Sequence, residues 1–212
     1  MEAVQETRYA TRTLPDHYRP AGVLDLSRDW RALVAMNLLG VGLLIGAGWI
    51  FSEILFWLRP QETANFNISF SFGSSAELFE VFAAALGIVI AVIVLHEAAH
   101  GLFFWLFTRD RPVFRFTGLY ASASAPGWYI RRTPYLVIGL APLVLLSFLG
   151  VALLAVLPPG WFIAVLLFLT LNASGAVGDL MVVGWLLSKP VETLTLDRPN
   201  SIHLFIPPAN RS

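Results

Sequence analysis

Four long apolar runs separated by short polar stretches organise the chain. They cover residues 33–58, 78–107, 134–157 and 161–187. Each exceeds the roughly 20 residues that a helix needs to cross the hydrocarbon of a bilayer. Pro158-Pro159-Gly160 marks a tight turn, which makes the third and fourth runs an antiparallel pair. Ser74 with Glu77 three residues later reads as a capping box opening the second run. Pro142 inside the third is tolerable where neighbours satisfy the backbone it frees. Two polar stretches, residues 66–72 and 113–117, alternate apolar and polar with period two and predict strand-like segments. The second could present an edge to an extended peptide, or simply form a hairpin. Leu24, Leu26 and Trp30 lie where the N-terminal segment nears the membrane and can sit in its interface. The pattern predicts an all-α integral membrane protein: a four-transmembrane-helix bundle over residues 33–188 with short β-like loop segments. Polar tails at 1–32 and 189–212 flank it.

Composition agrees. The chain is 57% hydrophobic and 13% charged, with a mean hydropathy of +0.69, which fits a membrane protein rather than a soluble domain of this size. Net charge is zero, so nothing points to nucleic acid. Without cysteine, there is no disulfide, thiolate metal site or cysteine nucleophile. Charges run through the first 30 residues with no apolar core, so no cleavable signal peptide is expected and the first span directs insertion. Basic residues then orient the bundle. Arg8, Arg12, Arg19, Arg28 and Arg31 precede the first span, and Arg109, Arg111, Arg115, Arg131 and Arg132 separate the second from the third. Lys189, Arg198 and Arg211 follow the fourth span, whereas Arg59 is the sole basic residue of the first loop and the third has none. The positive-inside rule therefore predicts a multi-pass cell-membrane protein with both termini and the second loop cytoplasmic.

Charge inside an apolar helix carries the candidate chemistry. His96-Glu97-Ala98-Ala99-His100 reads H-E-x-x-H within the second span. Residues i and i+4 share a helix face, so both imidazoles can hold one Zn²⁺ while Glu97 reaches the attacking water as general base. A pair of buried histidines beside a stray acid is the bland reading, but intramembrane ionisable groups are costly and usually mark a site. A third ligand should come from another span at similar depth. Glu53, Glu80 and Asp179 are the candidates. His100 and Asp179 lie about 13 and 15 Å from their cytoplasmic boundaries, whereas Glu53 and Glu80 fall near the external ends. Asp179 is therefore favoured, and a two-His, one-carboxylate set leaves an open position for water. Asn172, two turns before Asp179, could donate to the oxyanion of the tetrahedral intermediate or make an interhelical hydrogen bond. Ser174, Gly175 and Gly178 give its helix a small-residue face that could approach Ala98 and Ala99 of the motif helix. His17 and His203 read as surface residues, with His203 a reserve ligand should Asp179 not serve.

This pattern resembles the site-2 proteases, intramembrane zinc metallopeptidases whose core carries H-E-x-x-H on its first helix and an Asn-preceded Asp ligand on its third. The resemblance implies catalysis by Glu97 and Asn172, and zinc held by His96, His100 and Asp179. Those proteases follow the Asp with Gly and carry a Pro between Asn and Asp; here Leu180 follows and no Pro intervenes. Across nearly the whole chain the sequence is also similar to a family of small zincin peptidases of unknown function. That likeness rests on residues 14–26, 111–116, 129–135, Ala141-Pro142-Leu143 and 172–180.

The function expected is a zinc-dependent endopeptidase that hydrolyses a peptide bond in or near the membrane segment of a protein substrate, by Glu97-assisted attack of water at zinc. Its partners would be the lipid bilayer and a membrane-protein or peptide substrate, with no nucleic acid; a homo-oligomer is left open. The rival reading is a catalytically idle, metal-stabilised membrane scaffold or partner subunit. A metal transporter fits less well, because no ladder of polar residues crosses the spans.

Overall fold

The apolar runs fold as helices. The computed structural model describes residues 6–25, 30–64, 73–116, 121–198 and 201–208. Helices α1 (Trp30–Leu58), α3 (Ser75–Thr108) and α4 (Arg132–Val156) are each long and apolar enough to span a bilayer. A single-turn helix α2 (Pro60–Thr63) follows α1. The predicted capping box is present in part: Glu77 N–H donates to Ser74 Oγ (3.3 Å), and the Glu77 carboxylate accepts from Gly73 N–H (2.7 Å). The fourth run is not one straight helix as expected. After a 3₁₀ turn at Pro159–Trp161 it divides into α5 (Phe162–Gly175) and α6 (Val177–Leu187), bent by 41°. Gly175 and Gly178 flank the break, and glycine tolerates non-helical backbone best. Counted as one span, the pair brings the total among the described residues to four.

The chain divides into two compact units. The first comprises Met1–Leu38, Glu97–Pro142 and Gly178–Ser212. It contains a sheet that the alternation pattern did not predict. Strands β1 (Ala10–Thr11), β2 (Arg19–Leu24), β5 (Tyr129–Arg131), β6 (Leu194–Arg198) and β7 (Ser201–Ile206) pair antiparallel in the order β1-β5-β6-β7-β2. Both predicted tails thus contribute strands to one sheet. Strands β3 (Val113–Phe116) and β4 (Ala121–Ser124) form the separate hairpin foreseen after the motif helix. The unit's core gathers Trp128, Ile130, Ile138, Leu186 and Leu204, all nearly inaccessible, against Phe104 of α3. Arg132 closes the end of α6 by donating from Nε and Nη2 to the carbonyls of Leu186 (2.8 Å) and Leu187 (3.0 Å), a cation on a helix C-terminus. Asp110 ties the loop after α3 together, accepting from Trp128 Nε1–H (3.1 Å), Arg111 N–H (2.8 Å) and the Arg12 guanidinium. The Trp128 bond, helped by Arg111 and Arg12, holds its carboxyl below the usual range. Gly127, at φ +76°, makes the turn into β5.

In the second unit, Leu39–His96 with Leu143–Val177, the elements among the described residues are all helices. Phe51 and Leu55 of α1 pack with Leu154, Phe162 and Leu169. On α5, Ser174 serves α1: its Oγ donates to the Gly40 carbonyl (2.9 Å). Arg59 Nη1 donates to the carbonyls of Leu154 (3.2 Å), Ala155 (3.0 Å) and Leu157 (3.2 Å), capping α4, while Nε and Nη2 hold Glu62. Ile45, Trp49, Phe79, Phe82 and Phe148 are all exposed, a surface that suits lipid rather than water. The strand expected at 66–72 lies outside the described residues, as does Thr117.

Candidate metal centre

His96 and His100 stand one turn apart on α3, each about 9% exposed. A buried imidazole needs partners, and each ring finds one on Nδ1. His96 Nδ1 lies 3.1 Å from Oδ1 of Asn172, itself fully buried on α5. His100 Nδ1 lies 2.9 Å from the carbonyl oxygen of Ile138 on α4. Both acceptors lack a proton, so each ring carries a hydrogen on Nδ1 and would offer Nε2 to a metal. Anchoring one ring nitrogen to an acceptor is how metal-binding histidines are oriented.

The Ile138 carbonyl is available for a reason visible in the sequence. In a regular helix it would accept from the residue four positions on, which is Pro142, and proline has no N–H. The expectation that a neighbour would satisfy this freed carbonyl is met, and the neighbour is His100.

Asp179 sits in the first turn of α6, where a carboxylate favours the positive end of the helix dipole. The break near Ala176 creates that helix start. Its Oδ1 lies 3.3 Å from His100 Nε2, so the contact uses the two atoms that metal ligation would use. Among the described residues, His96, His100 and Asp179 bring one donor atom each within 4.8 Å of one another, close enough to hold a metal ion. Glu97 follows His96 directly and is half-buried. The remaining acids and histidines stand apart: Glu53 and Glu80 are exposed, His17 stacks on Tyr18, and His203 contacts Ser201 Oγ (3.1 Å) on β7.

Two residues missed in the sequence enter the picture. His100 and Asp179 line a cavity of about 80 Å³ together with Tyr135 of α4 and Asp197 of β6. Burial pushes the Asp197 carboxyl up to about 7; Glu97 adds to the rise, while His100 and Arg115 oppose it. Pro199-Asn200 between two period-two runs is a hairpin signal that could have revealed this strand. Nothing local marks Tyr135.

A family model described as "Putative zincin peptidase" matches residues 89–194. That is half of the 212 residues, and it takes in the motif, Asn172 and Asp179. The chain belongs to this family. No curated protein and no solved structure shows a significant match. Membership in the zincin family points to a zinc metallopeptidase, and the His/His/Asp donor set suits zinc, which takes imidazole nitrogen and carboxylate oxygen. The apolar helices of this zincin are compatible with a multi-pass membrane protein.

Proposed function

We propose that the chain is a zinc-dependent intramembrane endopeptidase of site-2-protease type, cutting a membrane-embedded or juxtamembrane segment of a protein substrate. The observation that carries this reading is the matched anchoring of the motif histidines. Asn172 and the Ile138 carbonyl engage both Nδ1 atoms, which makes Nε2 the nitrogen that each ring would offer a cation. His96, His100 and Asp179 would hold the zinc. Bound there, zinc would polarise the scissile carbonyl and acidify water.

Glu97 then acts as general base, taking a proton from the attacking water and returning it to the leaving amine. Asn172 positions His96 through its carbonyl oxygen, and its amide nitrogen is the donor assigned to the oxyanion.

Sheet pairing supports the expected topology. Strands from both tails and from the loop between α3 and α4 share one sheet, so these segments lie on one side of any membrane. An even number of spans satisfies this, with α5 and α6 counted as one. The arginines of these segments favour the cytoplasmic side.

Glu97→Gln tests the reading in liposomes holding a single-span reporter substrate. Cleavage should fall about 10³-fold while zinc stays at wild-type level. Cleavage that survives the substitution overturns the mechanism. Zinc-loaded wild type that cleaves no membrane reporter would favour the scaffold.

A further inference from the structure

The chain leaves α6 at Leu187 and returns toward the metal residues as a paired strand. Strand β6 carries Asp197 to the wall of the same cavity that His100 and Asp179 line. Its placement is set by register. Asp197 stands opposite Ile202 of β7, which also lines the cavity. Thr195, two residues earlier on the same face of the strand, is fixed by its hydroxyl donating to the Ile130 carbonyl (2.9 Å). Sheet pairing on both sides of β6, to β5 and β7, holds the carboxylate there.

Among the described residues the Asp197 carboxylate makes no hydrogen bond; its neighbours act on it through charge. Glu97 repels it, while His100 and Arg115 attract it. Asp179 lines the same small space. Carboxylates gathered in a desolvated pocket repel one another unless a cation neutralises them. An imidazole and two carboxylates form a mixed nitrogen and oxygen donor set of the kind zinc accepts.

We propose that Asp197 is a further ligand of the metal centre, supplying a carboxylate oxygen from β6 to the cation held by His100 and Asp179. The inference rests on the zinc reading above. It makes the C-terminal hairpin part of the centre, and Asp197 lies beyond the segment matched by the family model, which ends at Leu194. Zinc can expand to five donors, so a fourth protein ligand leaves a place for water.

Cobalt(II) titration of the detergent-purified full chain tests the proposal, with visible absorption reporting the ligand set. Loss of an outer partner weakens metal binding about 10–100-fold, so loss of a direct ligand in Asp197→Asn should reach about 100-fold or more and alter the visible bands. Wild-type affinity and bands in Asp197→Asn overturn the proposal. Should that variant not fold, Asp197→Glu carries the test alone. A ligand moved by one methylene shifts the bands, and unchanged bands overturn the assignment. Wild type that binds no cobalt at all would overturn this proposal together with the zinc reading, which separates the two failures.

Discussion

The surroundings of the two motif histidines differ in kind although the rings are one helical turn apart. His96 belongs to the unit whose described elements are helices and is held by a side chain, Asn172, from within that unit. His100 belongs to the unit with the sheet and is held by a backbone carbonyl that Pro142 frees. One anchor is a residue choice at the position itself. The other is a gap in a helix made four residues away. Each serves the same end, a ring oriented through its Nδ1, and the difference shows that a proline in an apolar helix can act as a device for presenting an acceptor. The units also differ in what buries them. The helical one exposes many apolar side chains, whereas the other carries a five-stranded sheet that ends in β1 and β2 among the described residues.

That contrast can be broken by matched truncations. Leu204 of β7 and Leu169 of α5 are both fully inaccessible. Leu204→Ala should cost about 3 kcal/mol, the usual sum of a lost transfer term and a cavity. Leu169→Ala should cost less, about 1–2 kcal/mol, because a helix leaving its neighbours for lipid or detergent stays in an apolar medium and only packing is lost. Denaturation of both variants in the same micelles compares them. Equal costs would mean that the two cores feel the same solvent.

The two anchors can be compared by metal affinity. Asn172→Ala should weaken cobalt or zinc binding by about 10–100-fold, as loss of an outer partner does. Pro142→Ala supplies an N–H that competes with His100 for the Ile138 carbonyl. It should weaken binding less, about 3–10-fold, since the new bond competes with the old one without abolishing it. A Pro142→Ala protein with unchanged metal affinity would show that His100 needs no freed carbonyl.

The smallest effect concerns the water-exposed loop of the sheet unit. Asp110 has a carboxyl pKa lowered in the folded state, chiefly by the Trp128 indole. Its contribution is therefore present above the unfolded carboxylate value of about 4 and is lost as pH falls through the lower folded value. Asp110→Asn should flatten the acid limb of the melting-temperature profile below about pH 4 and leave neutral pH nearly unchanged. An acid limb that keeps its slope would remove Asp110 from the account. Its carboxylate is 43% exposed, so screening keeps the effect small.

What the sequence determined alone was what a segment decides for itself. A membrane helix closes its backbone hydrogen bonds internally, so length and hydropathy sufficed to place α1, α3 and α4 within a few residues. The i, i+4 spacing put His96 and His100 on one face, and the missing N–H of Pro142 announced a carbonyl in need of a donor. A depth argument along a helix, which is also local, singled out Asp179, the acid that lies 3.3 Å from His100. Only the tertiary structure decided the rest. Strands satisfy their backbone through distant partners, so Ala10–Thr11, Tyr129–Arg131 and Leu194–Arg198 mean little until they pair. The break near Ala176, the contact of Ser174 with Gly40 and the acceptor that each histidine found depend likewise on what lies across from them. Asp197 is the clearest case. In sequence it is an acid in a polar tail, and only the register of β6 against β7 brings it to the wall of the metal cavity.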